Sequence, residues 1–318
     1  MIGVTMLRRT DRNFDARSFK HDMRRRSYVS ERYKLVYLET PKVASTSLKW
    51  ALAHIEGFSV TPAVLRAGYK NEMSIHSREI HPLPALTDYP ASRAQAILDD
   101  AKFKRFAAAR NPYTRLIAAW SDKIRQIEPG NSETCVAISR FHQKDPQTHN
   151  PSFREFVSWM LETNDRENCN LHWRPQTDVI YAARIKYDYI IKTESIGADL
   201  QRIFDANPDT SSFNARGILA QYRYNESLPL SYEGLYDSEL ARDVAEFYAE
   251  DFRRFNYDPD SWKSINDRKA PTYAELEQAA VRAIQQRNQV IEKATMKTRK
   301  KVKLFLRRVY RKLIARDA

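Results

Sequence analysis

The sixteen residues Leu35 to Trp50, LVYLETPKVASTSLKW, constrain this chain more than any other stretch. Leu35, Val36, Tyr37 and Leu38 form an apolar run suited to a strand buried on both faces, and Pro41 ends it because proline has no amide hydrogen to give a ladder. The chain must turn there. Leu48, Leu52 and Ile55 then recur at spacings of four and three, so a helix is expected to start near Ser45 to Ser47, residue types suited to an N-cap. The unpaired amides of its first turn carry the positive end of the helix dipole. The turn therefore reads as a cradle for a phosphate or sulfate, with Lys42, Val43, Ala44 and the hydroxyls of Ser45, Thr46 and Ser47 around it. A Walker A loop has comparable geometry but needs G-x-x-x-x-G-K-[ST]. Here the lysine precedes the loop and no glycine is present, which argues against a magnesium–ATP site.

A second strand–turn–helix unit follows. In Phe103 to Lys123, FKRFAAARNPYTRLIAAWSDK, the run Phe106 to Ala109 is apolar, Pro112 suits a first helical turn, and Leu116, Ala119, Trp120 and Lys123 continue at helical spacing. Arg110 is thereby expected at a strand's C-terminal edge, where open α/β sheets bind ligands.

These residues carry a family resemblance. PKVASTS resembles the 5′-phosphosulfate loop of sulfotransferases that use 3′-phosphoadenosine 5′-phosphosulfate, PAPS. Arg110, Asn111, Pro112, Tyr113, Arg115 and Leu116 resemble their 3′-phosphate motif, R-[DEN]-P-[FY]-x-R-L-x-S-A-Y. Where that motif has its phosphate-binding serine this chain has Ala118, and Ser121, one turn along, is the candidate substitute. The order FREFV, HWRPQ, YDYI and K-x-E, closed by Tyr248, Asp251, Phe252, Phe255 and Tyr257, is similar to the carbohydrate sulfotransferases of the family-2 type, which include chondroitin, HNK-1 and heparan 2-O-sulfotransferases. The resemblance covers roughly residues 33 to 260.

That resemblance implies a P-loop-like, three-layer α/β fold with a central parallel sheet, and PAPS as the donor substrate. It implies that Lys42 stabilises the bridging oxygen as the donor's phosphate leaves, that Val43, Ala44, Ser45, Thr46 and Ser47 hold the remaining oxygens, and that Arg110 and Ser121 hold the 3′-phosphate. No metal is required, because lysine and the helix end already compensate the leaving phosphate. The acceptor hydroxyl needs a base, and His76, His81 and His172 are the candidates. His81, 29 residues before Arg110, stands where related enzymes carry a histidine and is the expected one. His172, Arg174 and Gln176 of HWRPQ are expected to line the carbohydrate acceptor, with Arg184 and Lys192 as further contacts to an acidic glycan. Two other readings stay open: a P-loop-like kinase, disfavoured by the missing Walker A glycines, and a PAPS- or glycan-binding protein that does not catalyse, which Ala118 brings into view.

Charge separates the chain into parts. Of the formal +13, the segment 293–318 holds eleven Lys and Arg against Asp317 alone, leaving only +3 for the other 292 residues. Nucleic-acid binding by the main body is therefore not expected. In the tail Val302, Leu306, Val309 and Leu313 recur at helical spacing among basic residues, as in a basic amphipathic helix that lies on an anionic membrane surface. The expected organisation is a basic N-terminal arm over 1–30, a sulfotransferase domain over 31–265 and a basic helical tail over 270–318. Two cysteines, Cys135 and Cys169, without metal-ligand spacing, and no signal peptide or long apolar span, lead to a cytoplasmic location, peripheral at the inner face of the membrane, as the expectation.

Overall fold

A computed structural model describes residues 16–70, 72–125, 131–163, 169–222 and 231–267, with isolated positions 272, 274, 277 and 281. The described residues divide into two compact units, the first drawn from 16–119, 157–222 and 236–263 and the second from 120–156, 231–235 and 264–267. In chain order the elements are α1 (Ala16–Arg26), β1 (Ser27–Ser30), β2 (Leu35–Leu38), α2 (Ser45–Ile55), α3 (Pro62–Ala67), α4 (Ala91–Asp99), β3 (Lys104–Ala109), α5 (Pro112–Trp120), α6 (Ser132–Phe141), α7 (Phe153–Thr163), α8 (Gln176–Val179), β4 (Tyr189–Lys192), α9 (Ile196–Asp205), α10 (Ala215–Gln221), α11 (Ser238–Phe247), α12 (Ala249–Phe255) and α13 (Trp262–Asn266).

The first unit is built on a sheet of order β1-β2-β3-β4, in which β2, β3 and β4 run parallel and β1 is antiparallel to β2. Alternation along the strands sends side chains to two apolar layers. Leu35 and Tyr37 of β2, Phe106 and Ala108 of β3 and Ile191 of β4 meet α2, α9 and α10 on one face, through residues such as Leu52, Phe204 and Ile218. Val36 and Leu38 face α1 and α4 on the other, through Phe19, Met23 and Ile97. Ala107 and Ala109 meet Val179 of α8 and Phe255 of α12. The result is the expected three-layer α/β arrangement with helices on both faces of a mostly parallel sheet. Each large apolar side chain removed from water contributes about 1.5–3 kcal/mol, which is why strands of only four residues persist here.

The first unit begins earlier than the sequence pattern suggested. Residues 16–30, expected within a basic arm, form α1 and the edge strand β1, because Phe19 and Met23, 5 % and 2 % exposed, supply an apolar face within the arginine-rich run. The remainder of the arm, 1–15, and the basic tail with Val302, Leu306, Val309 and Leu313 lie outside the described residues. Arg105 and Asp188 of the YDYI motif form a two-pronged ion pair (Nε to Oδ2 2.8 Å, NH2 to Oδ1 2.9 Å), tying the start of β3 to the start of β4. That aspartate is a fastening. In the second unit, Trp120 packs edge-on against Phe153 and donates to the Pro151 carbonyl at 3.0 Å, while His149 bridges Ser139 of α6 and Glu155 of α7. Among the described residues no helix is long and apolar enough to cross a membrane.

Candidate functional site

Because β2, β3 and β4 are parallel, the segments that leave them open on one edge of the sheet, carrying Lys42, Arg110 and Glu194 respectively. The loop after β2 turns without glycine: Lys42 has φ 68° and Ala44 φ 59°, both in the left-handed region. Holding non-glycine residues there costs of order 1–2 kcal/mol apiece. Ala44, not a serine, is the N-cap of α2. Its carbonyl accepts from Leu48 N at 3.1 Å, and no side chain caps the first turn. An uncapped N-terminus of an eleven-residue helix, aimed into a strained loop, fits an anionic group that would take up the first amides.

The three hydroxyls of the loop are committed to protein. Ser45 bonds Glu39, Ser47 donates to the Tyr222 carbonyl at 2.7 Å, and Thr46 Oγ1 lies 2.9 Å from His76 Nε2. The Ser45 and Ser47 hydroxyls are thus turned toward protein partners, and the first amides of α2 face the loop that carries Lys42.

Arg110 reaches this loop. Its NH1 lies 3.5 Å from the Lys42 carbonyl and its Nε donates to Thr114 Oγ1 at 3.0 Å. The two sequence motifs therefore meet through a guanidinium. Arg115, five residues on, has a different task. It is 1 % exposed and donates to the carbonyls of Pro41 (3.2 Å), Arg174 (2.8 Å) and Leu171 (3.0 Å), strapping the loop to the HWRPQ segment.

Gln176, expected to touch the acceptor, is fully buried. It exchanges two bonds with the Arg110 backbone, Arg110 N to Oε1 and Nε2 to Arg110 O, both 2.9 Å. Behind it, Asp251 accepts from Gln176 N at 2.7 Å and from Thr177 N and Oγ1 at 2.8 Å each. HWRPQ is thus a clamp on the arginine's backbone at this end. Asn111 N donates to Glu194 Oε1 at 3.0 Å, and Tyr257 donates to Glu194 Oε2 at 2.9 Å, so the glutamate of K-x-E supports the same turn. His172 pairs with Asn170, and Arg174 donates through Nε to the Cys169 carbonyl at 2.9 Å.

Ala118 is 2 % exposed on α5. Ser121 belongs to the second unit, in a π-helical turn, with its hydroxyl fully buried and lacking a hydrogen-bond partner among the described residues. A hydroxyl without a solvent-facing lone pair is no substitute for the missing serine.

The expected base is also displaced. His81 is 6 % exposed, packs against Tyr28 with ring centroids 4.4 Å apart and planes tilted by 49°, and accepts the Leu83 amide at Nδ1, so its proton sits on the buried Nε2. Burial, reinforced by Arg78 and Lys49, pushes its pKa well below the usual imidazole value. It is neutral, enclosed and has no nitrogen to offer. His76 instead lies at the mouth of α2, with a one-third exposed ring, Nε2 toward Thr46 and Nδ1 2.7 Å from Lys49 Nζ. Lys49 is 1 % exposed and pairs with Glu39 Oε1 at 2.6 Å. Burial alone would raise the Glu39 pKa, but Lys49 and His76 hold it down at about 2.

Sequence reasoning missed Glu39 and Lys49. Their signal was present: Lys49 interrupts the apolar run Leu48 to Ala53, and a lysine on a helix buried all round requires a partner. Among the described residues no cluster of His, Cys, Asp and Glu is assembled to hold a metal ion.

The sequence also has relatives among known proteins. Residues 25–258 match the profile described as "Sulfotransferase family". Carbohydrate sulfotransferase 10 of Xenopus laevis is 25 % identical over 258 residues, covering 73 % of this chain and 67 % of the relative. Carbohydrate sulfotransferase 14 of Mus musculus is 26 % identical over 243 residues, covering 72 % and 59 %. Carbohydrate sulfotransferase 10 of Mus musculus is 27 % identical over 186 residues, covering 55 % and 50 %. The chain thus spans about half to two thirds of the length of these relatives. No solved structure matches it. With the family profile spanning most of the chain, the protein belongs to the sulfotransferase family.

Proposed function

We propose that the chain transfers a sulfuryl group from PAPS to a hydroxyl of a carbohydrate. The observation that carries this reading is the convergence of Arg110 with the Lys42 loop, at the uncapped N-terminus of α2, on one edge of a parallel sheet. PAPS, when bound, supplies the sulfuryl group and an adenosine bisphosphate leaving group. Lys42 and the first amides of α2 would compensate the charge at the 5′ end, and Arg110 the 3′-phosphate. Gln176 and Arg115 keep those groups in register without contacting them. His76 takes the acceptor proton, since its exposed ring edge borders the loop. The carbohydrate acceptor follows from the kinship with enzymes named carbohydrate sulfotransferases.

Incubation with sulfur-35-labelled PAPS and a panel of glycans and glycolipids tests this. Labelled product, abolished in His76→Ala and retained in a folded His81 variant, supports the assignment; failure to bind adenosine 3′,5′-bisphosphate removes it. Peripheral attachment at the inner face of the membrane is a separate proposal, resting on the basic tail. Truncation after Glu292 should abolish sedimentation with anionic vesicles, and unchanged sedimentation would refute it.

A further inference from the structure

The groups behind the donor loop form a chain of short contacts from a buried carboxylate to the exposed imidazole. Glu39 Oε1 meets Lys49 Nζ at 2.6 Å, Lys49 Nζ meets His76 Nδ1 at 2.7 Å, and His76 Nε2 meets Thr46 Oγ1 at 2.9 Å. An ammonium has donors only, so a protonated Lys49 at this distance must donate to Nδ1. A neutral imidazole carries one proton, which is then forced onto Nε2 and pointed at Thr46. In that form His76 cannot accept a proton at the nitrogen facing the loop.

We propose that Lys49 is a positioning residue that selects the tautomer of His76, so that the site accepts the proton of its substrate only when Lys49 is a neutral amine. This rests on the assignment of His76 as the base. In the accepting form, Nδ1–H donates to the lone pair of Nζ, and Nζ–H donates to the Glu39 carboxylate. The acceptor O–H bond breaks and its proton joins Nε2. The proton on Nδ1 passes to Nζ, and the acceptor oxygen bonds to sulfur as the bridging S–O bond breaks with its electron pair on the departing phosphate. The cluster gains one proton, which returns to solvent at the ring edge.

The charges facing Lys49 come from every side. Glu39 follows β2, Tyr28 of β1 presents its ring 5.5 Å from Nζ while its hydroxyl donates to Glu39 Oε2 at 3.2 Å, and Arg78 stacks on that same ring at 4.6 Å. His76 and the buried His81 complete the shell, with Tyr37 within reach of the Glu39 charge and Ser45 bonded to it. Burial and Arg78 ease the proton off Lys49, whereas Glu39 retains it. The carboxylate therefore sets how alkaline the medium must be.

Nitrogen-15 NMR of the imidazoles in the full chain reads the tautomer directly and does not depend on which donor or acceptor the enzyme uses. At neutral pH, His76 should show a protonated Nε2 and an unprotonated Nδ1, and Lys49→Met should lose that preference. A protonated Nδ1 in the wild type, or an unchanged spectrum in the variant, overturns the proposal. In the kinetic arm, the acid limb of the kcat/KM profile should move to lower pH in both Lys49→Met and Glu39→Gln. Each pH unit of displacement raises the low-pH rate about tenfold, while affinity for adenosine 3′,5′-bisphosphate stays within about twofold. Superimposable profiles contradict it. Should Lys49→Met fail to fold, Glu39→Gln and the wild-type spectrum carry the decision. Absence of any turnover with intact tautomer signals would reject the sulfotransfer reading and leave the Lys49–His76 coupling standing.

Discussion

Arg110 and Arg115 look alike in the motif RNPYTR, yet Arg110 reaches the Lys42 carbonyl across the sheet edge while Arg115 is buried among three carbonyls, and replacing Arg115 with methionine isolates the second role. The guanidinium, 1 % exposed, satisfies the carbonyls of Pro41, Leu171 and Arg174 at 2.8–3.2 Å. Each hydrogen bond from a charged donor is worth about 1.5–3 kcal/mol, and methionine recovers part of the loss by placing an apolar chain in the same volume. A net destabilisation of about 3–5 kcal/mol follows, a large share of the roughly 5–15 kcal/mol that holds a typical domain. Urea denaturation monitored by tryptophan fluorescence measures it, with the m-value checked for constancy. Arg115→Lys should recover less than half, because one ammonium cannot reach three carbonyls set around a planar fork. A loss below about 1 kcal/mol, the size expected for a solvated arginine, would refute the strap.

Other perturbations test neighbouring parts. Gln176→Met should weaken adenosine 3′,5′-bisphosphate binding roughly tenfold, or about 1.4 kcal/mol, although the side chain is fully buried, because the Arg110 backbone loses both clamps; calorimetry showing unchanged affinity would leave Gln176 a packing residue. The Glu39 carboxyl is held at about 2, below its ordinary 4.5, so its contribution is present above pH 4.5 and is lost as pH falls toward 2. That drop corresponds to about 3 kcal/mol, and the stability gap between wild type and Glu39→Gln should close across the same interval in denaturation series. His81→Phe should fold and turn over at a rate within a few fold of wild type, since the imidazole is buried against Tyr28 with Nδ1 taken by the Leu83 amide; loss of activity with donor binding intact would return the base to His81.

Much of the scaffold was legible because local signals and the fold agree. Leu35–Leu38 read as a buried strand and is one, and the break at Pro41 and the helical spacing after it placed α2 within a residue. Arg110 was found at the strand edge where its motif put it. Side-chain assignments fared less well, because sequence spacing does not say which way a polar group turns. Gln176 shares a motif with His172 and Arg174 but folds inward, toward Asp251, 75 residues away. His81 matched a spacing, yet it falls where Tyr28 and Leu83 enclose it, whereas His76, five residues earlier, ends a 3-10 turn beside α2. Residues 16–26 were read as an arm because arginines outnumber apolar residues there, although Phe19 and Met23, four apart, suffice to seat a helix.

Titration calorimetry of adenosine 3′,5′-bisphosphate against wild type, Lys42→Ala and Arg110→Ala probes the proposed two-ended donor site most directly. Saturable binding by the wild type, weakened at least about tenfold in each variant, or about 1.4 kcal/mol, with unfolding midpoints unchanged, is the expected result. No heat with the wild type, or equal affinity in all three proteins, would mean that the meeting of Arg110 with the Lys42 loop serves the fold and not a donor nucleotide.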